Sequence, residues 1–371
     1  MSSTLSFVLG TRPEIIKLSP VIRACQRRDV PFSLIHTGQH YSDELDSVFF
    51  EQLDLPTPAY NLGVGSSSHG EQTGRMIAEI ESVLEEEQPE VVLVQGDTNS
   101  VLAGTIAATK MDGIGVGHVE AGLRSFDREM PEEVNRRLAD HAADYLFPPT
   151  ETSRDQLLTE DLPEEWITVT GNTIVDAVEQ NVEIAHERSD VLAELGVDGR
   201  FGLLTAHRAE NVDDRNRFVS LLDGVAEAAQ EHELSVVYPI HPRAEKQVSE
   251  FGIDVPEEIQ LVEPQDFLDF LVLEDRAEIV FTDSGGVQEE TCILQTPCVT
   301  LRDNTERPET VEVGSNRIVG VQPDGIVEGV REMLAVEPDW ENPFGDGKAG
   351  ERILDALEYG RDQERPTETN L

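Results

Sequence analysis

Three carboxylates follow short apolar runs in the first half of the chain. Asp97 stands in Gln95-Gly96-Asp97-Thr98, Glu120 in His118-Val119-Glu120-Ala121-Gly122-Leu123-Arg124, and Glu132 in Pro131-Glu132-Glu133. Acids gathered past neighbouring strand ends can move protons, one taking and another giving. Each alone also has a purely structural reading. Asp97 could cap the helix that follows, Glu120 could pair with Arg124, and Glu132 with Glu133 could be dipole-matched acids in a first helical turn. His118-x-Glu120 has the opening of a zinc-deaminase signature, but no Pro-Cys-x-x-Cys follows.

Other motifs point to an anionic ligand. Gly10-Thr11-Arg12-Pro13-Glu14 precedes Lys17, which lies one turn further along the same helical face as Arg12. Arg12 at a helix start opposes the dipole, so a phosphate or the neighbouring Glu14 must offset it. In the second half, Thr205-Ala206-His207-Arg208-Ala209-Glu210-Asn211 and His241-Pro242-Arg243 put histidines at strand ends. Thr282-Asp283-Ser284-Gly285-Gly286-Val287-Gln288-Glu289-Glu290 runs from a strand through a Ser-Gly-Gly turn into a helix. Backbone N–H groups at such a start bind phosphate, and Glu290, one turn in, can reach ribose hydroxyls. Arg307 follows the next strand. No G-x-G-x-x-G follows the first strand and no P-loop occurs, which disfavours dinucleotide chemistry and nucleoside triphosphate hydrolysis.

These residues need strands and helices to hold them. Buried-strand runs occur at Leu5–Leu9, Phe32–Thr37, Val91–Gln95, Gly115–Glu120, Tyr145–Phe147 and Ile167–Thr170. A second set is Gly202–Ala206, Ser235–Ile240, Ile259–Val262, Glu278–Thr282, Cys298–Leu301 and Arg317–Val319. Most gaps carry helical patterns, such as the capping box Ser68-His69-Gly70-Glu71 before Met76, Ile77, Ile80, Val83 and Leu84. Alternating strands and helices predict parallel sheets covered on both faces. Two runs of strands predict an α/β protein of two doubly wound domains, with ligands bound past the carboxyl ends of the strands. The expected boundaries are 1–171, 172–345 and a final helix and tail over 346–371. Pro20 should kink the first helix, and Gly360–Leu371 reads as a frayed polar end.

The 371 residues include 74 acids and 28 basic residues, a net charge of −46. That excludes broad phosphate neutralisation of a nucleic acid and docking on an anionic membrane. Only four basic residues are lysines, namely Lys17, Lys110, Lys246 and Lys348. Many acids with almost no lysine read as a protein tuned to molar salt, where screening shortens to about 3 Å and self-repulsion is suppressed. Cys25, Cys292 and Cys298 show no CxxC spacing, and the start MSSTLSFVLGTRPE has no basic segment ahead of its short apolar run. Both features fit a reducing cytoplasm, without a disulfide framework or cysteine-built zinc site.

In their order, these motifs resemble the non-hydrolysing UDP-N-acetylglucosamine 2-epimerases. The resemblance runs from Gly10-Thr11-Arg12-Pro13-Glu14 to Arg307-Pro308-Glu309 and includes Pro131-Glu132-Glu133-x-Asn135-Arg136 and His207-Arg208-x-Glu210-Asn211. It implies two Rossmann-like domains facing a central cleft, as in glycosyltransferase-B folds, a last helix that crosses back to the first domain, and a homodimer. It implies catalytic roles for Asp97, Glu120, Glu132 and His207. It implies UDP-sugar contacts by Arg12, Lys17, Gln265, Phe270, Ser284, Gly285, Gly286, Glu290 and Arg307. The implied reaction interconverts UDP-N-acetylglucosamine and UDP-N-acetylmannosamine, for polysaccharide synthesis, with no cofactor and no metal. Bacterial members often read Gln-His-Arg-Glu where this chain has Gln39-His40-Tyr41-Ser42, a region tied to substrate activation in some of them. A glycosyltransferase of the same build would share Ser284 to Glu290 without needing all three acids. A related epimerase would take a diacetamido uronic-acid nucleotide.

The charge pattern makes a direct prediction. Melting temperature and helical circular dichroism should rise steeply between dilute buffer and molar KCl, whereas a salt-independent melt would mark a merely acidic protein.

Overall fold

The computed structural model describes residues 5–38 and 49–359. The chain divides into two compact units, one of Met1–Ala177 with Phe344–Leu371 and the other of Val178–Pro343. The first holds a six-stranded parallel sheet of β1 (Leu5–Leu9), β2 (Phe32–His36), β3 (Tyr60–Asn61), β4 (Val91–Gln95), β5 (Gly115–Val119) and β6 (Tyr145–Phe147). Its order is β3-β2-β1-β4-β5-β6. The second holds β7 (Phe201–Thr205), β8 (Ser235–Pro239), β9 (Ile259–Val262), β10 (Ile279–Thr282), β11 (Cys298–Thr300) and β12 (Asn316–Ile318), in the order β12-β11-β10-β7-β8-β9. Counted within its own unit, each sheet reads 3-2-1-4-5-6. The strand order therefore reverses between β1 and β4 in one sheet and between β7 and β10 in the other. Helices leave the sheet to opposite faces at such a point, which opens a crevice at the carboxyl ends.

The inner strands are buried, largely apolar runs because helices cover both faces. In the first unit, Val8, Ile35, Val92, Val94 and Val116 pack with Met76, Ile80 and Leu84 of the helix His69–Glu87. In the second, Leu204, Val236, Tyr238 and Phe281 pack with Phe218, Leu222 and Val225 of the helix Arg215–His232. None of the described helices is long and apolar enough to cross a membrane.

Two expectations from the sequence differ from the structure. Ile167–Thr170 is not a sixth strand, as Ile167 forms only an isolated bridge to Leu146. Thr168 N and Thr170 N donate to Leu146 O and Pro148 O, but Pro148 has no N–H to return, so no ladder grows. The sixth strand is instead Tyr60–Asn61, a two-residue polar segment paired with Ile35 and His36. Ser68 does take the N-cap position of its helix, yet its side chain makes no capping hydrogen bond.

The helix Arg12–Arg27 continues through Pro20. Proline cannot donate to the carbonyl four residues back, and Ser19 Oγ donates to that Ile16 carbonyl at 2.8 Å instead. The last helix, Ala349–Tyr359, lies against this segment. A Cβ on Gly350 would come within 2.9 Å of Pro20 backbone atoms, so only glycine permits the approach. Asp176, buried, accepts from Ala349 N at 3.1 Å and Gly350 N at 2.9 Å, which caps the last helix. Arg27 and Arg28 pair with Glu351, and Arg28 also with Asp355 at 2.6 Å. The segment Gly360–Leu371 and the motif Gln39-His40-Tyr41-Ser42 lie outside the described residues.

Candidate active site

In the first unit, the candidate residues gather past the carboxyl ends of β1, β4 and β5, at the reversal of strand order. Gly10 follows β1 directly, and a Cβ there would overlap the hydroxyls of Thr37 and Ser100. The chain then enters the helix Arg12–Arg27, with Thr11 as N-cap and Pro13 in the first turn. The Arg12 guanidinium lies 5.3 Å from the Phe49 ring centroid. Glu14 does not pair with Arg12. It accepts from Gly10 N at 3.0 Å, Thr11 Oγ1 at 2.8 Å and Thr98 Oγ1 at 2.7 Å. Burial pushes its carboxyl up to about 7, against the pull of these donors.

The Asp97 side chain is not the cap of the next helix. Thr98 holds that position at the start of Asn99–Thr109 and accepts from Val101 N. Asp97 is free of that duty and meets the Arg136 guanidinium. Asn135 Nδ2 donates to its backbone carbonyl at 2.9 Å. Glu120 does not pair with Arg124. Its carboxylate takes Lys17 Nζ at 2.5 Å and the Gln95 side-chain amide. Glu120 holds φ at +67°, a left-handed conformation that is uncommon for a residue with a side chain. Glu132, half-buried in the first turn of the helix Pro131–Ala142, has neither a hydrogen bond nor an ion pair among the described residues.

A buried polar chain ties these segments together. His118 places Nδ1 2.7 Å from Asp140 Oδ1 and Nε2 2.8 Å from the Gly96 carbonyl. Both neighbours accept, so the ring donates from both nitrogens. Burial alone would discharge it, but the Asp140 charge and hydrogen bond, with the Gly96 carbonyl, outweigh burial and raise its pKa. Asp140 also takes Arg124 at 2.7 Å, and Arg124 grips Glu160 through two bonds of 2.8 Å. One network thus spans the loop of Asp97, the strand of Glu120 and the helix of Glu132.

In the second unit, the candidates lie past β7 and β10, again at the reversal of strand order. Asp283, fully buried, accepts from His207 N, Arg208 N at 3.0 Å and Asn211 Nδ2 at 3.1 Å. His207 Nδ1 lies 3.2 Å from Asp283 Oδ1, and its ring stands 5.7 Å from that of His241. Burial, then the charges of His207 and Arg243, lower the His241 pKa. Ser284 is the N-cap of the helix Gly285–Ile293 without spending its hydroxyl on the cap. Gly286 is exposed at that start. Glu290 lies on the same helix, and Arg307 Nε pairs with Glu289 at 2.6 Å. Gln265 and Phe270 follow β9 in the chain, and the helix Phe267–Arg276 that carries Phe270 packs against the helix Gly285–Ile293. Gln265 donates to the Glu263 carbonyl, and Phe270 lies half-buried on the helix Phe267–Arg276.

Glu14, Arg136 and Asp140 were not singled out from the sequence as site residues. Thr11-x-x-Glu14 has the spacing of a capping box, which would have pointed to Glu14. Asp140 carries no local signal, because its partners Arg124, Gly122 and His118 are 16, 18 and 22 residues distant.

Glu14 generates a pH prediction. Its pKa is raised on folding, so its contribution is fully present below about pH 4.5 and lost as pH rises through about 7. The shift corresponds to about 3 kcal/mol. Glu14→Gln keeps the shape but cannot ionise. Thermal melts in constant high salt should therefore fall less for this variant than for the parent between about pH 5 and 8. Parallel slopes would show that Glu14 does not titrate there.

Comparison with known proteins gives one answer. A family model described as UDP-N-acetylglucosamine 2-epimerase matches residues 23–358. UDP-N-acetylglucosamine 2-epimerase of Methanocaldococcus jannaschii is 53% identical over 364 residues, covering 96% of this chain and 99% of the relative. The UDP-2,3-diacetamido-2,3-dideoxy-D-glucuronate 2-epimerase of Pseudomonas aeruginosa is 39% identical, covering 94% and 98%. A crystal structure of the M. jannaschii enzyme with UDP-GlcNAc and UDP superposes with a TM-score of 0.81, covering 96% of this chain and all of that one. With two parallel sheets in a glycosyltransferase-B-like fold and a match along nearly the whole sequence, the chain belongs to the UDP-N-acetylglucosamine 2-epimerase family.

Proposed function

We propose that this protein is an isomerase that interconverts UDP-N-acetylglucosamine and UDP-N-acetylmannosamine at C2. The observation that carries the reading is the set Asp97, Glu120 and Glu132 past the strand ends of the first unit, each on a different segment of one hydrogen-bonded network. The M. jannaschii relative supports the choice of substrate.

The chemistry follows from the sugar. C2 carries an acetamido group and no adjacent carbonyl, so its proton is too weakly acidic for direct removal. Elimination avoids this. A carboxylate takes the C2 proton, the C–H electrons form the C1=C2 bond, and the C1–O bond breaks to release UDP. The product held in place is 2-acetamidoglucal. UDP then adds back to C1 while a second acid protonates C2 from the opposite face. Asp97 and Glu120 are the two acids, with Glu132 beside them. Lys17 and Arg136 pair with these two carboxylates and hold their orientation.

The leaving diphosphate gains negative charge. Arg12, Lys17, His207, Arg307 and the helix start at Ser284, Gly285 and Gly286 are the groups suited to stabilise it. Glu290 holds the ribose, and Gln265 and Phe270 complete the UDP-sugar contacts. No cofactor or metal takes part in this scheme. In the cell, the reading is a homodimer in a reducing, salt-rich cytoplasm that supplies a polysaccharide precursor. Exposed Leu123 and Phe126, with Val134 and Leu138 on the helix Pro131–Ala142, support a second copy as partner.

Site variants separate binding from chemistry. Glu120→Gln and Asp97→Asn keep shape and most hydrogen bonds but remove the base. Each should bind UDP nearly normally by calorimetry in high salt and lose on the order of 10²-fold or more in kcat. Glu290→Ala should instead weaken UDP by roughly 1.5–3 kcal/mol. Normal turnover in Glu120→Gln with lost UDP affinity would make that carboxylate structural.

A further inference from the structure

The scheme above gives His118 no part. Its ring is wholly buried on β5, two residues before Glu120. Nε2 lies 2.8 Å from the Gly96 carbonyl, which can only accept, so Nε2 carries a proton. Nδ1 lies 2.7 Å from Asp140 Oδ1. Asp140 is the ionised partner, because its other oxygen already takes Gly122 N at 3.2 Å and the Arg124 guanidinium at 2.7 Å. Nδ1 therefore donates as well, and the ring is an imidazolium. Burial works against that charge, and the Asp140 charge and hydrogen bond, the Gly96 carbonyl and the Glu120 charge outweigh it. The nearby cations are engaged elsewhere, Arg124 on Asp140 and Glu160 and Lys17 on Glu120.

What the Nε2 bond fixes is the peptide between Gly96 and Asp97. Gly96 holds φ at +84°, and its N–H donates to the Val119 carbonyl at 3.1 Å. A Cβ on Gly96 would stand 3.7 Å from Glu120 Oε2, so this backbone runs beside the Glu120 carboxylate. A peptide is planar, so holding the Gly96 carbonyl sets the plane from which Asp97 leaves. On its other side, Asp140 takes Gly122 N in the turn that follows Glu120. One ring and one carboxylate thus tie the backbone around both acids to the helix Pro131–Ala142.

We infer that His118 is a positioning residue for proton transfer at C2. Its imidazolium, seated on Asp140, holds the Gly96 carbonyl and so sets where Asp97 stands relative to Glu120. This rests on the proton-transfer roles proposed for those two acids. Proton transfer falls off steeply when a reacting group is misplaced by an ångström. Loss of the Gly96 bond should therefore slow the chemical step while leaving the nucleotide contacts as they are.

The test uses the full chain in molar KCl. A glutamine amide nitrogen reaches the place of Nε2, and an asparagine amide nitrogen the place of Nδ1. His118→Gln therefore keeps the donor to Gly96, and His118→Asn keeps only the contact with Asp140. In kcat, His118→Gln should stay within about 5-fold of the parent and His118→Asn should fall by about 10- to 100-fold. KM and the calorimetric UDP affinity should stay within about 3-fold in both. Equal losses of kcat in the two variants, or parent-like turnover in His118→Asn, would overturn the inference. Nitrogen NMR of the parent, labelled at histidine, needs no variant to fold. One ring protected from solvent exchange should keep protons on both nitrogens up to about pH 8.5. If every histidine has lost its second ring proton by that pH, the inference is also overturned. Asp97→Asn separates the two layers. Full turnover in that variant would refute the proton-transfer reading itself. Lost turnover there, beside parent-like turnover in His118→Asn, would refute only the role of His118.

Discussion

A carboxylate that must do chemistry has to be held close to others of the same sign, and in a chain of net charge −46 that is the governing constraint. The protein meets it by giving its site acids dedicated donors. Lys17 holds Glu120, Arg136 meets Asp97, and Arg124 serves both Asp140 and Glu160. Asp283 collects two backbone N–H groups and an asparagine. An isolated buried charge would cost several kcal/mol, and it is the donors, not the sheets, that make such a cluster tolerable. Glu14 and Glu274 mark the other solution, in which burial favours the neutral acid.

The sheets supply the places where these donors converge. Each unit carries the same 3-2-1-4-5-6 order, and each set of candidates lies where that order reverses. Backbone N–H groups and side chains leave the strands there without a ladder to satisfy them, so they are available to a ligand or to one another. His118 uses this geometry within the protein, joining the Gly96 carbonyl to Asp140 across two adjoining strand ends.

Much of this was legible in the residues. Short apolar runs such as Val91–Gln95 and Cys298–Thr300 announce strands because both sheet faces are buried there. The Ser284-Gly285-Gly286 turn announces a helix start open to an anion. What was not legible depends on partners distant in sequence. Tyr60–Asn61 is a strand only because Ile35 and His36 lie beside it. Ile167 has the apolar character of a strand and bridges Leu146, but Pro148, two residues on, lacks the N–H that would extend the pairing. Thr98 and Asp97 compete for one cap, and propensity alone favours the aspartate, yet Thr98 takes it. Arg124 had the right spacing for Glu120, yet a left-handed turn at Glu120 sends that carboxylate to Lys17 instead.

The central claim is that carboxylates at the strand ends of the first unit exchange the C2 proton of the sugar with solvent. Incubation of the protein with UDP-N-acetylglucosamine in heavy water and molar KCl, followed by proton NMR, tests it most directly. The account predicts a manno-configured product that carries deuterium at C2. A manno product that retains its original C2 hydrogen throughout would contradict it.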